Sequence, residues 1–301
     1  MRARPAKRAL TWGVLAQSVR GAAHCRMGRP NQDAIESSMG PGAGPPLIVA
    51  VSDGHGSPKS FRSERGARFA VTIALKEARR LVDNFPGTPS AIKRATERKF
   101  PLSLVRAWEA SVLQDIANEP FTSDDQSRLV DQAGPSAWRA VADSPLMAYG
   151  ATLLLGVVTT EFLLLVQVGD GDIVTVSGAG CAERPLGTDP RLFAGETTSL
   201  CLKDAAHSFC VQCLPLRDIR PALVLLSTDG YANSYREDAG FLKVGPDLLD
   251  MIREDGIEAV RRDLAGWLDE VSRYGSGDDT TLGALCISEC LPMHKARPEG
   301  I

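Results

Sequence analysis

Three strongly apolar runs in this chain end on an acid. Leu47 to Val51 leads into Ser52-Asp53-Gly54-His55-Gly56, Leu163 to Val168 into Gly169-Asp170-Gly171-Asp172, and Leu223 to Leu226 into Thr228-Asp229-Gly230. Runs this short and this apolar read as buried strands, so each carboxylate stands where a strand emerges. Two further acidic turns, Asn31-Gln32-Asp33-Ala34 and Gly277-Asp278-Asp279-Thr280, also fall at strand-like ends. A lone Asp-Gly is an ordinary turn, because Asp accepts a local hydrogen bond and Gly supplies positive φ. A set of them is different, since carboxylates gathered at one end of a sheet repel one another unless a cation lies between them. All-oxygen donors select Mg²⁺ or Mn²⁺ rather than Zn²⁺. The pattern points to a binuclear cation site.

The rest of the chain fits around those strands. Val14 to Val19 reads as a strand, separated from Leu47 to Val51 by a Gly/Pro loop over Gly40 to Pro46, so the two are expected to pair as neighbours. Phe61 to Leu81 has helical spacing. Ser90 to Asn118 is a second helical stretch interrupted near Pro101, and Ser123 to Val141 a weaker third segment that contains Gly134-Pro135. The period then shortens, and Ala148 to Thr159, Glu161 to Gly169, Asp172 to Ser177, Ser208 to Leu214 and Ala222 to Ser227 are strand-like. Gly245 to Arg253 and Gly256 to Tyr274 return to helix before a last strand, Thr280 to Ser288. This order predicts an α+β fold of antiparallel sheets covered by helices, in one domain over about residues 11–290, with loose termini at 1–10 and 291–301.

Composition narrows the classes. Lys and Arg total 34 against 37 Asp and Glu, a net charge of −3, which excludes a nucleic-acid binder that relies on bulk positive charge. No apolar run approaches the ~20 residues of a membrane-spanning helix. The basic start, Arg2 to Arg8, is followed by Gln17, Ser18 and Arg20 and does not read as a signal peptide. Seven scattered cysteines suit reduced thiols and a cytoplasmic location.

Six motifs occur in order: Asn31-Gln32-Asp33-Ala34, Asp53-Gly54-His55-Gly56, Tyr149-Gly150-Ala151-Thr152, Val168-Gly169-Asp170-Gly171, Ser227-Thr228-Asp229-Gly230 and Asp278-Asp279-Thr280-Thr281. Together they resemble the metal-dependent protein serine/threonine phosphatases of the 2C type, over roughly residues 13–288, and the opening Gly21 to Ala34 is most similar to a bacterial branch. The resemblance implies a β-sandwich of two antiparallel sheets flanked by helices on both sides. It also implies two Mn²⁺ or Mg²⁺ ions. Asp53 would bridge them and the Gly54 carbonyl would ligate one; Asp229 and Asp278 would hold the first metal and Asp33 the second, while Asp170 matches an acid that helps bind a weaker third. The implied partners are phosphoprotein substrates and a cognate Ser/Thr kinase pathway.

Two metal ions about 3.5 to 4 Å apart can lower the pKa of a shared water and stabilise an in-line displacement at phosphorus, so no protein nucleophile is required. His55, two residues after Asp53, suits protonation of the departing serine or threonine alkoxide. The sequence departs from the family at Gln32, where many relatives carry Glu, and at Gly28, which stands where better-known relatives have a phosphate-gripping Arg. Arg26 and Arg29 flank that position, and a guanidinium fork suits phosphate.

Other features read as structural. Cys210 and Cys213 lie three apart in a strand and so on opposite faces, and Cys286 and Cys290 straddle the end of the last strand. Of His24 and His207, His24 is the better functional candidate because it lies near the Asp33 turn. Trp12, Trp108, Trp138 and Trp267 suit packing, and Lys93-Arg94 with Arg98-Lys99 suits a solvated helix face. Gly178 to Ala206 corresponds in position to a variable flap of the family. Two alternatives to the phosphoprotein phosphatase stay open: a catalytically inactive partner-binding relative, and a phosphoesterase acting on small metabolites.

Overall fold

Strands that are apolar at every position need cover on both faces, and a sandwich with helices outside supplies it. The computed structural model of the chain describes residues 10–84, 87, 89–187, 198–216 and 221–289. In order these form β1 (Leu10–Val19), α1 (Ala22–Met27), β2 (Ala34–Ser38), β3 (Leu47–Ser52), α2 (Ser63–Asp83), α3 (Pro89–Arg94), α4 (Phe100–Asn118), α5 (Ser123–Ala133) and α6 (Pro135–Asp143). There follow β4 (Leu153–Val158), β5 (Phe162–Val168), β6 (Asp172–Val176), β7 (Ala182–Glu183), β8 (Cys210–Pro215), β9 (Leu223–Ser227), α7 (Asp229–Ala232), α8 (Asp238–Asp255), α9 (Ile257–Tyr274) and β10 (Thr280–Glu289). The strands make two antiparallel five-stranded sheets, ordered β1-β10-β9-β6-β7 and β2-β3-β4-β5-β8.

The alternation of side chains divides the core into three layers. In β3, Leu47, Val49 and Val51 face the seam between the sheets, while Ile48 and Ala50 join Ala70 and Ala74 of α2 and Leu104 and Trp108 of α4. In β9, Val224 and Leu226 face the seam, and Leu223 and Leu225 join Leu249 of α8 and Leu264 of α9. Each fully buried Leu or Val contributes about 1.5 to 3 kcal/mol. The seam is tight at Gly283 of β10, where a Cβ would lie 2.4 Å from Val49 Cγ1. Trp108 is buried with its Nε1–H donated to the Gly66 carbonyl (3.0 Å), and Lys93, Arg94, Arg98 and Lys99 are exposed.

The sandwich agrees with the architecture that the motifs imply, but the pairing of the first two strands does not. Val14 to Val19 belongs to β1, which pairs with β10, whereas β3 pairs with β2 and β4 in the other sheet. The intervening β2 is the neighbour that Leu47 to Val51 takes instead. Residues 145–149 form a 3-10 turn rather than the start of a strand, so β4 begins at Leu153. Pro101 falls in the first turn of α4, where its missing N–H is harmless, and the interruption is a wide turn over Ala95–Lys99 just before it. Cys210 and Cys213 sit opposite Gln167 and Leu164 in β8, on opposite faces as expected. Residues 1–9 and 291–301, Cys290 and residues 188–197 of the expected flap lie outside the described residues. No helix among the described residues is long and apolar enough to cross a membrane.

Candidate active site

Antiparallel register brings the acidic turns to one end of the sandwich. Ala34 pairs with Ser52, which sets Asp33 beside Asp53 at the β2–β3 end. Ser227 pairs with both Leu282 and Asp172, which sets Asp229 beside the Asp278-Asp279 turn and the β5–β6 connection that carries Asp170. The two sheets are tied together there. Thr281 Oγ1 and Thr228 Oγ1 of one sheet both donate to Asp33 Oδ2 of the other, at 2.7 and 2.8 Å.

Asp53 is held by the stretch before β4. Its N–H donates to Thr152 Oγ1 (2.9 Å), its carbonyl accepts from the Thr152 N–H (2.8 Å), and Ser52 Oγ donates to the Thr152 carbonyl (2.5 Å). Thus the Tyr149-Gly150-Ala151-Thr152 motif is a clamp on the Asp53 turn. Glycine is required on both sides of the clamp, because a Cβ on Gly150 would lie 2.4 Å from His55 Cδ2, and one on Gly54, in the Asp53 turn, would lie 2.7 Å from the Gln32 carbonyl.

The electrostatics are those of crowded anions. Burial, then the neighbouring charges of Asp33, Asp229 and Asp170, hold the Asp53 carboxyl well above its ordinary range, and Asp53 and Asp229 are hydrogen-bonded to each other. Burial pushes Asp33 up to about 8; the Thr281 and Thr228 hydroxyls oppose the rise, and the charges of Asp279 and Asp229 add to it. Asp229 is also raised, by burial and by Asp170 and Asp278. Asp33, Asp53, Asp170, Asp229 and Asp278 are therefore neighbours through this chain of contacts and charges.

Gln32, the position that departs from the family pattern, donates from Nε2 to Ser63 Oγ (2.6 Å), while its Oε1 is buried with no hydrogen-bond partner among the described residues. A buried oxygen without a donor, on the residue before Asp33, fits a hard divalent cation or the water around it. The donor set present thus suits Mg²⁺ or Mn²⁺.

His55 is fixed at both ends. Its N–H donates to the Gly150 carbonyl (3.0 Å), and Nε2 lies 2.7 Å from Ser199 Oγ, which itself donates to the Ala151 carbonyl (3.0 Å). With the Ser199 proton committed there, Nε2 is the donor to Ser199. Burial lowers the His55 pKa, and the charge of Asp170 opposes that. Ser199 carried no motif in the sequence. Neither did the role of Asp279, which is 3 % exposed and accepts from the N–H groups of Gly21 (2.6 Å) and Gln32 (2.7 Å) and from His24 Nδ1 (2.9 Å). Only its place beside the exposed Asp278 hinted at it.

A cleft of about 320 Å³ opens beside the His55 turn, between Gly56, Ser57 and Phe61 on one side and Arg128 and Leu129 of α5 on the other. Arg29 lines this cleft, whereas Arg26 lies beside Gly277 at the Asp278 turn. Arg62, just before α2, braces the far wall. It is 7 % exposed, donates to the Glu119 carbonyl (2.6 Å), the Tyr149 hydroxyl (2.8 Å) and the Pro120 carbonyl (3.3 Å), and lies 3.8 Å from Asp125 in the first turn of α5.

Comparison with known proteins agrees with this geometry. No curated protein matches the sequence. Among solved structures, a bacterial serine phosphatase covers 93% of this chain and 100% of its own at 13% identity with a TM-score of 0.58. Stp1 from Staphylococcus aureus covers 96% and 100% at 14% identity and 0.54. The catalytic domain of the serine/threonine phosphatase PstP, in complex with two manganese ions, covers 93% and 99% at 16% identity and 0.52. At such identities the likeness is one of fold. The family description Protein phosphatase 2C matches residues 20–269, most of the chain, so this protein belongs to the protein phosphatase 2C family of metal-dependent phosphatases.

Proposed function

We propose that the chain hydrolyses phosphoserine and phosphothreonine in proteins, using two divalent cations at the Asp53 end of the sandwich, within one catalytic domain over about residues 11–290. The observation that carries this reading is the convergence of Asp33, Asp53, Asp170 and Asp229 at one buried rim, each charge raising the cost of its neighbours. Asp53 would touch both cations, with the Gly54 carbonyl on one of them. Asp229 and Asp278 would complete the first site and Asp33 the second, with Asp170 toward a weaker third. When bound, such a pair of cations supplies an activated water for in-line attack on phosphorus and neutralises charge on the attacking and leaving oxygens.

The chain's own residues do the rest. Thr152 and Gly150 fix the Asp53 and His55 turns, so the carboxylates need no reorganisation as charge develops. With Nε2–H tied to Ser199, Nδ1 is the His55 nitrogen that would take up a second proton and, from the imidazolium so formed, hand it to the departing alkoxide. Arg29, at the cleft beside that turn, is the better placed of the two arginines to orient a phosphate. The free cysteines suit a reducing cytoplasm, where a Ser/Thr kinase would supply the substrates.

The test is turnover of a phosphothreonine peptide against a panel of small phosphoesters, in Mn²⁺ and in excess chelator. Peptide hydrolysis that needs Mn²⁺ or Mg²⁺ and stops in chelator is expected. Undiminished turnover in chelator after dialysis removes the two-cation reading, turnover confined to small esters makes the chain a metabolite phosphoesterase, and metal binding without turnover makes it a partner-binding relative.

A further inference from the structure

His24 stands out because its two ring nitrogens are treated differently. The side chain is nine-tenths buried, on the six-residue α1. Nδ1 lies 2.9 Å from Asp279 Oδ2, and Asp279 also accepts two backbone N–H groups. A carboxylate so placed is an acceptor, so Nδ1 carries the proton and Nε2 presents a bare lone pair. Among the described residues Nε2 has no hydrogen-bond partner; the group facing it is Asp278 Oδ1, at 3.8 Å. That is too long for a hydrogen bond. It is right for two ligands of one ion, since with metal–ligand bonds of ~2.1 Å such atoms lie between ~3.0 and ~4.2 Å apart.

We propose that His24 Nε2 and Asp278 Oδ1 hold a divalent cation between them, which gives the metal centre a nitrogen ligand, with Asp279 fixing the histidine's tautomer from behind. Ligand atoms of His24, Asp278 and Asp279 all lie within 4.8 Å of one another. Because both Asp279 oxygens are engaged by N–H groups, Asp279 orients the imidazole, the usual arrangement behind a metal-bound histidine. An imidazole in place of an oxygen ligand favours transition metals over Mg²⁺, which strips its water reluctantly. The inference rests on the metal-dependent reading above and adds a ligand that the acidic motifs do not contain.

The test is pulsed electron paramagnetic resonance on the full chain loaded with Mn²⁺, read for ¹⁴N coupling from a coordinated imidazole, with calorimetric titration of Mn²⁺ and Mg²⁺ beside it. The unmutated protein should show the coupling. His24→Asn keeps an amide near Nδ1 for Asp279 but has nothing at Nε2, so it should lose the coupling and bind Mn²⁺ about 10- to 100-fold more weakly, with a smaller change for Mg²⁺. Should that variant not fold, a chain carrying His55→Asn, His207→Asn and His294→Asn leaves His24 as the sole histidine, and the coupling must persist in it. Bound Mn²⁺ without nitrogen coupling, or coupling that survives His24→Asn, overturns this inference and leaves the phosphatase reading standing; no Mn²⁺ binding at all overturns both.

Discussion

The metal-free protein should lose stability as pH rises through neutrality, against the usual expectation for a carboxylate. Asp33 titrates at 3.8 in a free chain and at about 8 when folded. Over that interval the folded state keeps a proton that the unfolded chain has released, and stability falls with pH wherever the folded state binds the more protons. From about pH 6.5 to about pH 8 the loss from this group is about 1.5 kcal/mol, a few degrees of melting temperature for a domain of this size. The window starts there because His55, lowered by burial, acts in the opposite sense below its ordinary 6.5. Asp53 and Asp229, also raised by burial, act in the same direction wherever they titrate. Saturating Mn²⁺ has to displace these protons, so its affinity rises with pH and the slope should flatten or reverse. The assay is thermal unfolding across the window in chelator and in Mn²⁺, for the unmutated chain and for Asp33→Asn, in which Asp33's share of the slope should vanish. A melting temperature in chelator that stays level or rises, or a slope that Asp33→Asn leaves intact, refutes the reasoning.

Asp53→Asn and Asp229→Asn should each cut turnover at saturating Mn²⁺ by more than about 100-fold while raising the melting temperature in chelator, since each removes a repelling charge; near-normal turnover would show that the residue holds no metal. His55→Gln should slow a phosphoserine peptide by about 10²- to 10⁴-fold and an aryl phosphate far less, because phenolate leaves unaided; equal losses on both substrates would remove the acid role. Gly283→Ala should cost about 1 to 3 kcal/mol in urea unfolding, since its methyl would run into Val49 across the seam; a cost below about 0.5 kcal/mol would mean that the sheets part more easily than their spacing implies.

What could be read in the sequence was what depends on near neighbours. Leu47 to Val51 and Leu223 to Leu226 are apolar at every position because a helix layer covers one face and the second sheet the other, and such runs announce themselves. The Asp turns that end them were equally visible. β2 escaped because Ala34–Ser38 is a short, largely polar strand at the edge of its sheet and only partly buried, so it shows no apolar run. α1 is only six residues long, too short for a helical period to register. Which strand pairs with which was hidden for another reason: β1 finds β10 across nearly the whole chain, a choice set by the sandwich and not by the loop between β1 and β3. Ser199 and Asp279 act through contacts with His55 and His24, residues far from them in sequence, and no local spacing reports such partners.

Arg62 has a consequence for how a peptide would be received. Its guanidinium joins the start of α2, the α4–α5 connection and Asp125, so swinging α5 outward would pull Asp125 away from a buried arginine that keeps its bonds to the Glu119 and Pro120 carbonyls and the Tyr149 hydroxyl. The backbone amides of α5 should then exchange with solvent on the same slow clock as those of α2, as one cooperative unit. If the proposed reading holds, a phosphopeptide would meet a trough whose α5 wall is already in place among the described residues, and the shape of that wall would take part in choosing substrates.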